Sequence, residues 1–324
     1  MIGKKYLKTY WEVFDDLRII NWEDLYKERL LMTDISIVIL HYNELDLTQK
    51  YIKNIIDLNW KEIIFHIIVV DNASPDGSGK ELYRIYDASS VVDVILNVEN
   101  LGYAKGNNVG IQYAKRTFNS DLYIVSNNDI VINDKEFPSK LYDVYKSSSV
   151  AVIGPDIFSL TKNIHQSPIR QTVLSVGDLL RLQRHLELKL RLLKLIQITR
   201  SYNLISKIKR VMGMKSGQEG FEYQKAQKNV VLQGAFFVLT KQYLDNFPDG
   251  LYDKTFLYLE EDILAYRCDI NNLDTIYEPK LKVLHYDGYS THKLKKNRCK
   301  KYMFELEETR KSCGIMLELI KASK

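Results

Sequence analysis

The feature that most constrains this chain is an alternation, repeated four times between residues 34 and 125, of a short apolar run, a polar loop and a helical pattern. The runs are Ser36–Leu40 (SIVIL), Ile63–Val70 (IIFHIIVV), Val91–Leu96 and Leu122–Val125, rich in β-branched residues. Between them, helical spacing runs through Ile52, Ile55 and Ile56, through Lys80–Tyr86 and through Val109–Ala114. Such a series predicts βαβ units and a mainly parallel sheet. Almost continuous apolar strands predict that helices cover both faces. In an open sheet of this kind ligands bind beyond the carboxyl ends of the strands. The loops at those ends are His41–Asp46, Asp71–Gly79, Asn97–Asn108, which reads as a glycine- and asparagine-rich loop, and Asn127–Asp129.

The rest of the chain is less regular. Residues 1–33 read as a polar helical extension, with Tyr6, Tyr10, Phe14 and Leu17 at helical spacing. In the second half, VVLQGAFFVLT (230–240) reads as a strand and Lys241–Asn246 as a short helix. FLYLEEDILAYRC reads as a strand end entering a helix, and LKVLHYDGYST as a strand ending in a polar loop. A helix rich in Lys and Glu closes the sequence, capping the core or pairing subunits into a homodimer.

With 324 residues the chain can bury a large core. Its 46 basic and 41 acidic residues leave a net charge of +5, which suits phosphorylated ligands, nucleic acid or an anionic membrane surface. The three cysteines, Cys268, Cys299 and Cys313, are odd in number and lack CxxC spacing, so buried thiols in a reducing compartment are expected. The early lysines lead into no apolar signal segment. No uncharged apolar run approaches the ~18–20 residues that span a bilayer. The expected location is cytoplasmic, peripheral on the inner face of the cell membrane.

Chemistry-bearing residues cluster at the strand tips. Asp71 and Asn72 follow a buried strand, where a carboxylate can accept from a base or ribose, or merely close an Asx-turn. GSGK (77–80) fails the phosphate-loop pattern, because Ser74 stands at its first glycine and Glu81 follows the lysine. No GxGxxG follows the first strand. NLGYAKGNN (100–108) offers amides and asparagines that favour an anion or ribose. Asn127-Asn128-Asp129 supplies one carboxylate for a hard divalent cation. In Glu260-Glu261-Asp262 adjacent carboxylates raise one another's proton affinity, as a general base for a sugar hydroxyl requires. The alternative for that cluster is charge complementing a helix dipole. His285 ends an apolar strand, in reach of a metal or diphosphate.

Leu179, Leu182, Leu186, Leu190, Leu193 and Ile196 form a helical stripe within a basic segment, 171–215. Arg181, Arg184, Lys189, Arg191, Lys194, Arg200, Lys207, Lys209 and Arg210 accompany it, with Asp178 read as its N-cap. The reading favoured is a peripheral membrane helix over 179–210; the bland one is a core helix with a solvated face. Leucines rather than aromatics interleave the charges, which argues against nucleic acid.

Taken in order, SIVILHYNELDLT, IIVVDNASPDGSG, NVENLGYAKGNNVGIQYA, YIVSNNDIVI, QGAFFVLT, FLYLEEDILAYR and VLHYDGYST resemble family 2 glycosyltransferases of the GT-A fold. The likeness is to bacterial rhamnosyltransferase-type enzymes of capsule and surface polysaccharide assembly. It implies a Rossmann-like α/β sheet flanked by helices. It also implies a nucleotide-sugar-binding half at 34–155, an acceptor and catalytic half at 156–292 and a C-terminal helix at 293–324. By this resemblance His41, Tyr42, Asn43, Glu44, Asp71 and Asn72 hold the base and ribose. Asn100, Gly102, Lys105, Asn107 and Asn128 line the nucleotide pocket. Asp129, the last member of a DxD-like motif, ligates Mg2+ or Mn2+, and His285 stands near that metal or the diphosphate. Glu261 aligns with the acidic base, normally the Asp of an ED pair, and Arg267 closes that motif. NND lacks the first carboxylate of DxD, and Glu260 or Asp262 could carry the base role instead. The implied reaction is inverting transfer of a hexose or rhamnose from a UDP-sugar or dTDP-rhamnose to a hydroxyl of a lipid-linked saccharide. The other reading is a non-catalytic nucleotide-sugar-binding partner subunit.

Overall fold

The computed structural model describes residues 32–199, 221–287 and 298–323, with side chains described over 32–195, 221–287 and 300–323. The extension read over 1–33 lies outside the described residues except for Met32 and Thr33. Arg200, Lys207, Lys209 and Arg210 of the basic segment, and the side chain of Cys299, also lie outside them.

The four apolar runs are strands β1 (Asp34–His41), β2 (Ile64–Asp71), β3 (Val92–Leu96) and β4 (Leu122–Asn127), paired parallel in the order β3-β2-β1-β4. They alternate with helices α1 (Leu45–Ile56), α2 (Ser78–Tyr86) and α3 (Tyr103–Thr117). The period of two along a strand sends alternate side chains to opposite faces. Ile35, Ile37 and Ile39 pack with Ile52 and Ile55 of α1 and Leu82 of α2. Val38 points the other way, toward Ala104, Ile111 and Ala114 of α3. The sheet is therefore covered on both sides, as its unbroken apolar strands require.

After β4 the chain makes β5 (Ile130–Val131), α4 (Phe137–Ser147), β6 (Val152–Ser159), β7 (Ile164–His165), α5 (Val176–Thr199) and β8 (Gln227–Lys228). Then follow β9 (Phe236–Thr240), α6 (Lys241–Asn246), α7 (Glu260–Ile270), β10 (Thr275–His285) and α8 (Arg298–Ala322). The sheet continues from β4 through an antiparallel β9 to β6, then to a parallel β10 and an antiparallel β5. One sheet thus runs through both halves of the chain, and the 155/156 boundary falls inside β6.

Several local expectations change. The strand read over 230–240 is only Phe236–Thr240. Its first part leaves the sheet because Val231 bonds the 169–170 segment instead: Ile169 N–H donates to Val231 O (2.8 Å) and Val231 N–H to Arg170 O (2.9 Å). The glycine-rich loop is also shorter than read, since α3 begins at Tyr103 and carries Lys105, Asn107 and Asn108.

The leucine stripe has a protein partner. Leu179, Leu186, Leu190 and Leu193 of α5 are buried against Leu306, Cys313, Met316, Leu317 and Ile320 of α8. Two apolar helix faces remove more surface from water by covering each other than either does alone. The stripe is thus not the membrane face expected of it. Nor is Asp178 the N-cap. Ser175 Oγ accepts from Asp178 N–H (3.1 Å) while the Asp178 carboxylate accepts from Ser175 N–H (3.1 Å). This is a capping box with Asp178 three residues into the helix.

Candidate active site

The strand tips meet at one edge of the sheet. His41 lies in register with Asp71, Asp71 with Leu96, and Leu40 with Asn127. Asn127 N–H donates to Ala235 O (2.9 Å), which brings the start of β9 to the end of β4. His285, the last residue of β10, is in register with Ile130 just past the NND turn.

On one side of this edge stands the Asp71 loop. The Asp71 carboxylate accepts from Ser74 N–H, three residues on, at 3.1 Å, and Gly79 packs so close that a Cβ there would sit 2.0 Å from Asp71 Oδ2. Asn72 is buried and spends its amide on the neighbouring loop. It donates to Asn100 Oδ1 and Gly102 O at 3.0 Å each and accepts from Leu101 N–H at 3.0 Å and Asn97 Nδ2 at 3.2 Å. Gly102 has φ +79°, and a Cβ on it would meet Phe256 O at 2.3 Å, so only glycine lets the 256 segment approach.

Two residues expected at the nucleotide face inward. His41 is fully buried, with Nδ1 on Thr48 Oγ1 (2.7 Å) and Nε2 on Ser78 Oγ (2.8 Å). Burial lowers its pKa. The ring braces the loops instead of presenting a free nitrogen. Asn107 is also fully buried, donating to Tyr103 O (3.0 Å). Asn43 and Glu44 hold left-handed φ values of 62° and 61° and start α1; Tyr42 and Lys105 are exposed.

At the far side, Asn128 Nδ2 donates to Thr48 Oγ1 (2.9 Å), and Asp129 Oδ1 lies 3.1 Å from His285 Nε2. Two expected metal-site residues are therefore adjacent. Among the described residues no group of three or more His, Cys, Asp or Glu gathers as a metal site.

The acidic cluster opens α7 in the middle of this edge. Tyr258 and Leu259, just before it, hold φ values of 73° and 66°. Such strain persists only where surroundings enforce it. Here Tyr103 N–H holds Phe256 O (2.9 Å) from α3, and Ser312 Oγ of α8 donates to Leu257 O (2.8 Å). The three carboxylates then diverge. Asp262 is 1% exposed and ion-paired with Arg170, so it is not free to act as a base. Burial, opposed by Arg170, pushes its pKa up to about 6. Glu260 is pushed up to about 8 by burial and the charge of Glu261. Glu261 Oε1 accepts from Gly234 N–H (3.3 Å), and the hydroxyl of Tyr103 donates to Gly234 O. Glu260 and Glu261 share a cleft with Tyr103, Ala104, Gly234 and Tyr252. Arg267 lies behind it, stacked on Phe247 at 3.9 Å and bonded to Gly250 O at 3.0 Å.

The raised Glu260 pKa has a signed consequence. Between its unfolded value and about 8 the folded state binds more proton, so stability falls as pH rises through that window. Glu260→Gln should remove this dependence. Between about pH 5 and about pH 9 the wild-type melting temperature should fall relative to that of the variant. Parallel curves would contradict the assignment.

Tyr103, Gly234, Gln166 and Arg170 are site residues that the sequence motifs do not single out. Tyr103 and Gly234 stand inside the NLGYAKGNN and QGAFFVLT stretches, which could have flagged them. Gln166 and Arg170 lie in a stretch without periodicity, and no sequence signal marks them.

A single sheet with helices on both faces, parallel in its first half and mixed in its second, with its polar residues along the carboxyl edge of the parallel strands, defines a GT-A fold. Residues 36–205 match glycosyl transferase family 2, and the chain belongs to that family. It is 30% identical over 156 residues to the low-salt glycan biosynthesis hexosyltransferase Agl10 of Haloferax volcanii. That match covers 48% of this chain and 45% of the relative, so it spans less than half the relative's length. S. aureus TarS (1-349) has a similar fold, with a TM-score of 0.50 at 12% identity over 78% of this chain and 60% of that one. Among the described residues no helix is long and apolar enough to cross a membrane.

Proposed function

We propose that this family 2 glycosyltransferase inverts configuration as it moves a hexose or rhamnose from a UDP-sugar or dTDP-rhamnose to a hydroxyl of a lipid-linked saccharide in surface polysaccharide assembly. The observation that carries this reading is Glu261. It stands at the start of α7 in a cleft with Tyr103 and Gly234, and the next residue, Ala235, is bonded to Asn127 at the end of β4. The name of the Haloferax relative favours a hexose.

Asp71, Tyr42, Asn43 and Glu44 would receive the base and ribose, with Asn100, Lys105 and Asn128 toward the phosphates. Asn72, Gly102, Asn107 and His41 would act behind them, fixing the loops. Asp129 and His285 fit Mg2+ or Mn2+: an oxygen and a nitrogen donor face each other, and a cation held by few side chains takes its other ligands from substrate phosphates and water. When bound, such an ion neutralises charge on the departing diphosphate. Glu261 takes the acceptor hydroxyl proton while that oxygen attacks the anomeric carbon from the face opposite the leaving group. Glu260, protonated at neutral pH, spares Glu261 a second adjacent charge, and Asp262 holds Arg170.

Membrane docking moves to a different face of α5. Leu180, Leu188 and Leu195 are exposed, and Arg181, Arg184, Arg191 and Lys194 are exposed beside them. Exposed leucines between cations suit an anionic inner leaflet, where a lipid-linked acceptor lies.

Isothermal titration with UDP, dTDP and GDP in the presence of Mn2+ tests the donor, and hydrolysis of the matching sugar nucleotide tests the chemistry. Micromolar binding of one nucleotide is expected, with donor hydrolysis that Glu261→Ala abolishes. A chain that binds none of them, or hydrolyses donor equally well without Glu261, would overturn the reading. Flotation with anionic liposomes should succeed for the wild type and fail after Arg184→Glu with Arg191→Glu.

A further inference from the structure

We infer that Gln166 is a positioning residue: it fixes which nitrogen of His285 carries the proton and so keeps Nε2 available as a cation ligand beside Asp129. The inference rests on the reading of Asp129 and His285 as the cation site, but its core is a matter of hydrogen-bond direction.

The argument starts at Asp287. Lys162 Nζ lies 2.5 Å from Asp287 Oδ2, and Ser159 Oγ donates to the same oxygen at 3.3 Å. The Asp287 carboxylate, paired with Lys162 and bonded by Ser159, serves as an acceptor. Gln166 reaches that oxygen at 3.0 Å, so it must present its NH2 group there. The orientation of the amide is thereby fixed, and its carbonyl oxygen faces the other way. That oxygen meets His285 Nδ1 at 2.7 Å. An amide oxygen cannot donate, so Nδ1 must carry the proton.

The consequence falls on Nε2, 3.1 Å from Asp129 Oδ1. With Nδ1 protonated, a neutral His285 directs the Nε2 lone pair at a carboxylate, an arrangement that is stable only with a positive charge between or on them. A proton on Nε2 can supply that charge, and a divalent cation can take its place. Without Gln166 the neutral ring would move its proton to Nε2 and give it to Asp129. The two ligands would then satisfy each other and the site would be closed to the ion. Partners of metal-binding histidines set tautomer and ring orientation in this way, and their loss commonly costs 10–100-fold in affinity. Gln166 and Asp287 come from different parts of the chain, one after β7 and one after β10, so only the fold joins them.

The test uses the full chain with 15N-labelled histidine. Ring nitrogen shifts of His285, assigned through a His285→Gln control, are recorded with UDP, with and without Mg2+. Mn2+ affinity is measured by titration, independently of activity. The wild type should keep a proton on Nδ1 throughout and show Nε2 bare once Mg2+ is added. Gln166→Met should move the proton to Nε2 and weaken Mn2+ binding about 10–100-fold. Gln166→Glu combined with Asp287→Asn, which keeps an acceptor toward Nδ1 and a donor behind it, should restore the Nδ1 proton and most of the affinity. Matching melting curves identify the variants that are folded, and Gln166→Leu, which also removes the acceptor, decides if Gln166→Met is not. A wild-type ring protonated on Nε2 alone would overturn the inference, as would a Gln166→Met protein with unchanged tautomer and affinity. The underlying cation reading fails separately, if wild type and Asp129→Asn bind Mn2+ equally weakly while the Nδ1 proton stays in place.

Discussion

Replacing Glu261 by alanine should lower the rate of sugar transfer by about 10²–10⁴-fold, the usual worth of a general base. Nucleotide affinity and melting temperature should change little. The carboxylate makes one long contact, accepting from Gly234 N–H at 3.3 Å, so few folded-state interactions are lost with it. The loss should appear in kcat, since proton removal belongs to the transition state rather than to substrate binding. Single-turnover transfer to an acceptor saccharide measures it directly. A variant within tenfold of wild type would move the base elsewhere, and Glu260 would be the next residue to test.

Replacing Arg170 by methionine should cost about 3 kcal/mol of folding stability, because it leaves the buried Asp262 carboxylate without its partner. Asp262 is 1% exposed, whereas the Arg170 side chain is 31% exposed, so the cost falls mainly on the acid. The pair is already imperfect: among the described residues Arg170 Nε and Asp262 Oδ1 have no hydrogen-bond partner. The sign of the pH dependence separates charge from packing. Burial holds the folded pKa of Asp262 up to about 6 even with Arg170 present, and removing the cation raises it further. Below that pKa the acid is neutral and needs no partner. The gap in melting temperature between wild type and variant should therefore be widest above about pH 6 and close as pH falls. A gap that is the same at all pH values would assign the loss to packing of the arginine stem.

Arg170 and Glu261 together explain why three neighbouring acids need not share one role. Successive residues of a helix point about 100° apart. At the start of α7, Asp262 faces inward to Arg170, while Glu260 and Glu261 face the cleft with Tyr103 and Gly234. The segment that sets this rotation, Phe256–Leu259, is held from α3 by Tyr103 and from α8 by Ser312.

What the sequence determined by itself was local and periodic. Four apolar runs separated by helical spacing were enough for the parallel half of the sheet, because strand and helix periods differ and burial on both faces leaves no polar alternation. The polar tips of those strands are brought to one edge by the strand register, but Asn72, Asn107 and Asn128 there are spent on hydrogen bonds that brace the loops. Tertiary structure decided everything that depends on a distant partner. It turned Leu179, Leu186, Leu190 and Leu193 of α5 toward α8, because two apolar stripes far apart in the chain bury one another. It turned His41 inward between Thr48 and Ser78, separated Asp262 from its neighbours through Arg170, and oriented His285 through Gln166 and Asp287. Such pairings join residues with no fixed spacing, and only the path of the backbone through the sheet brings them within hydrogen-bond reach.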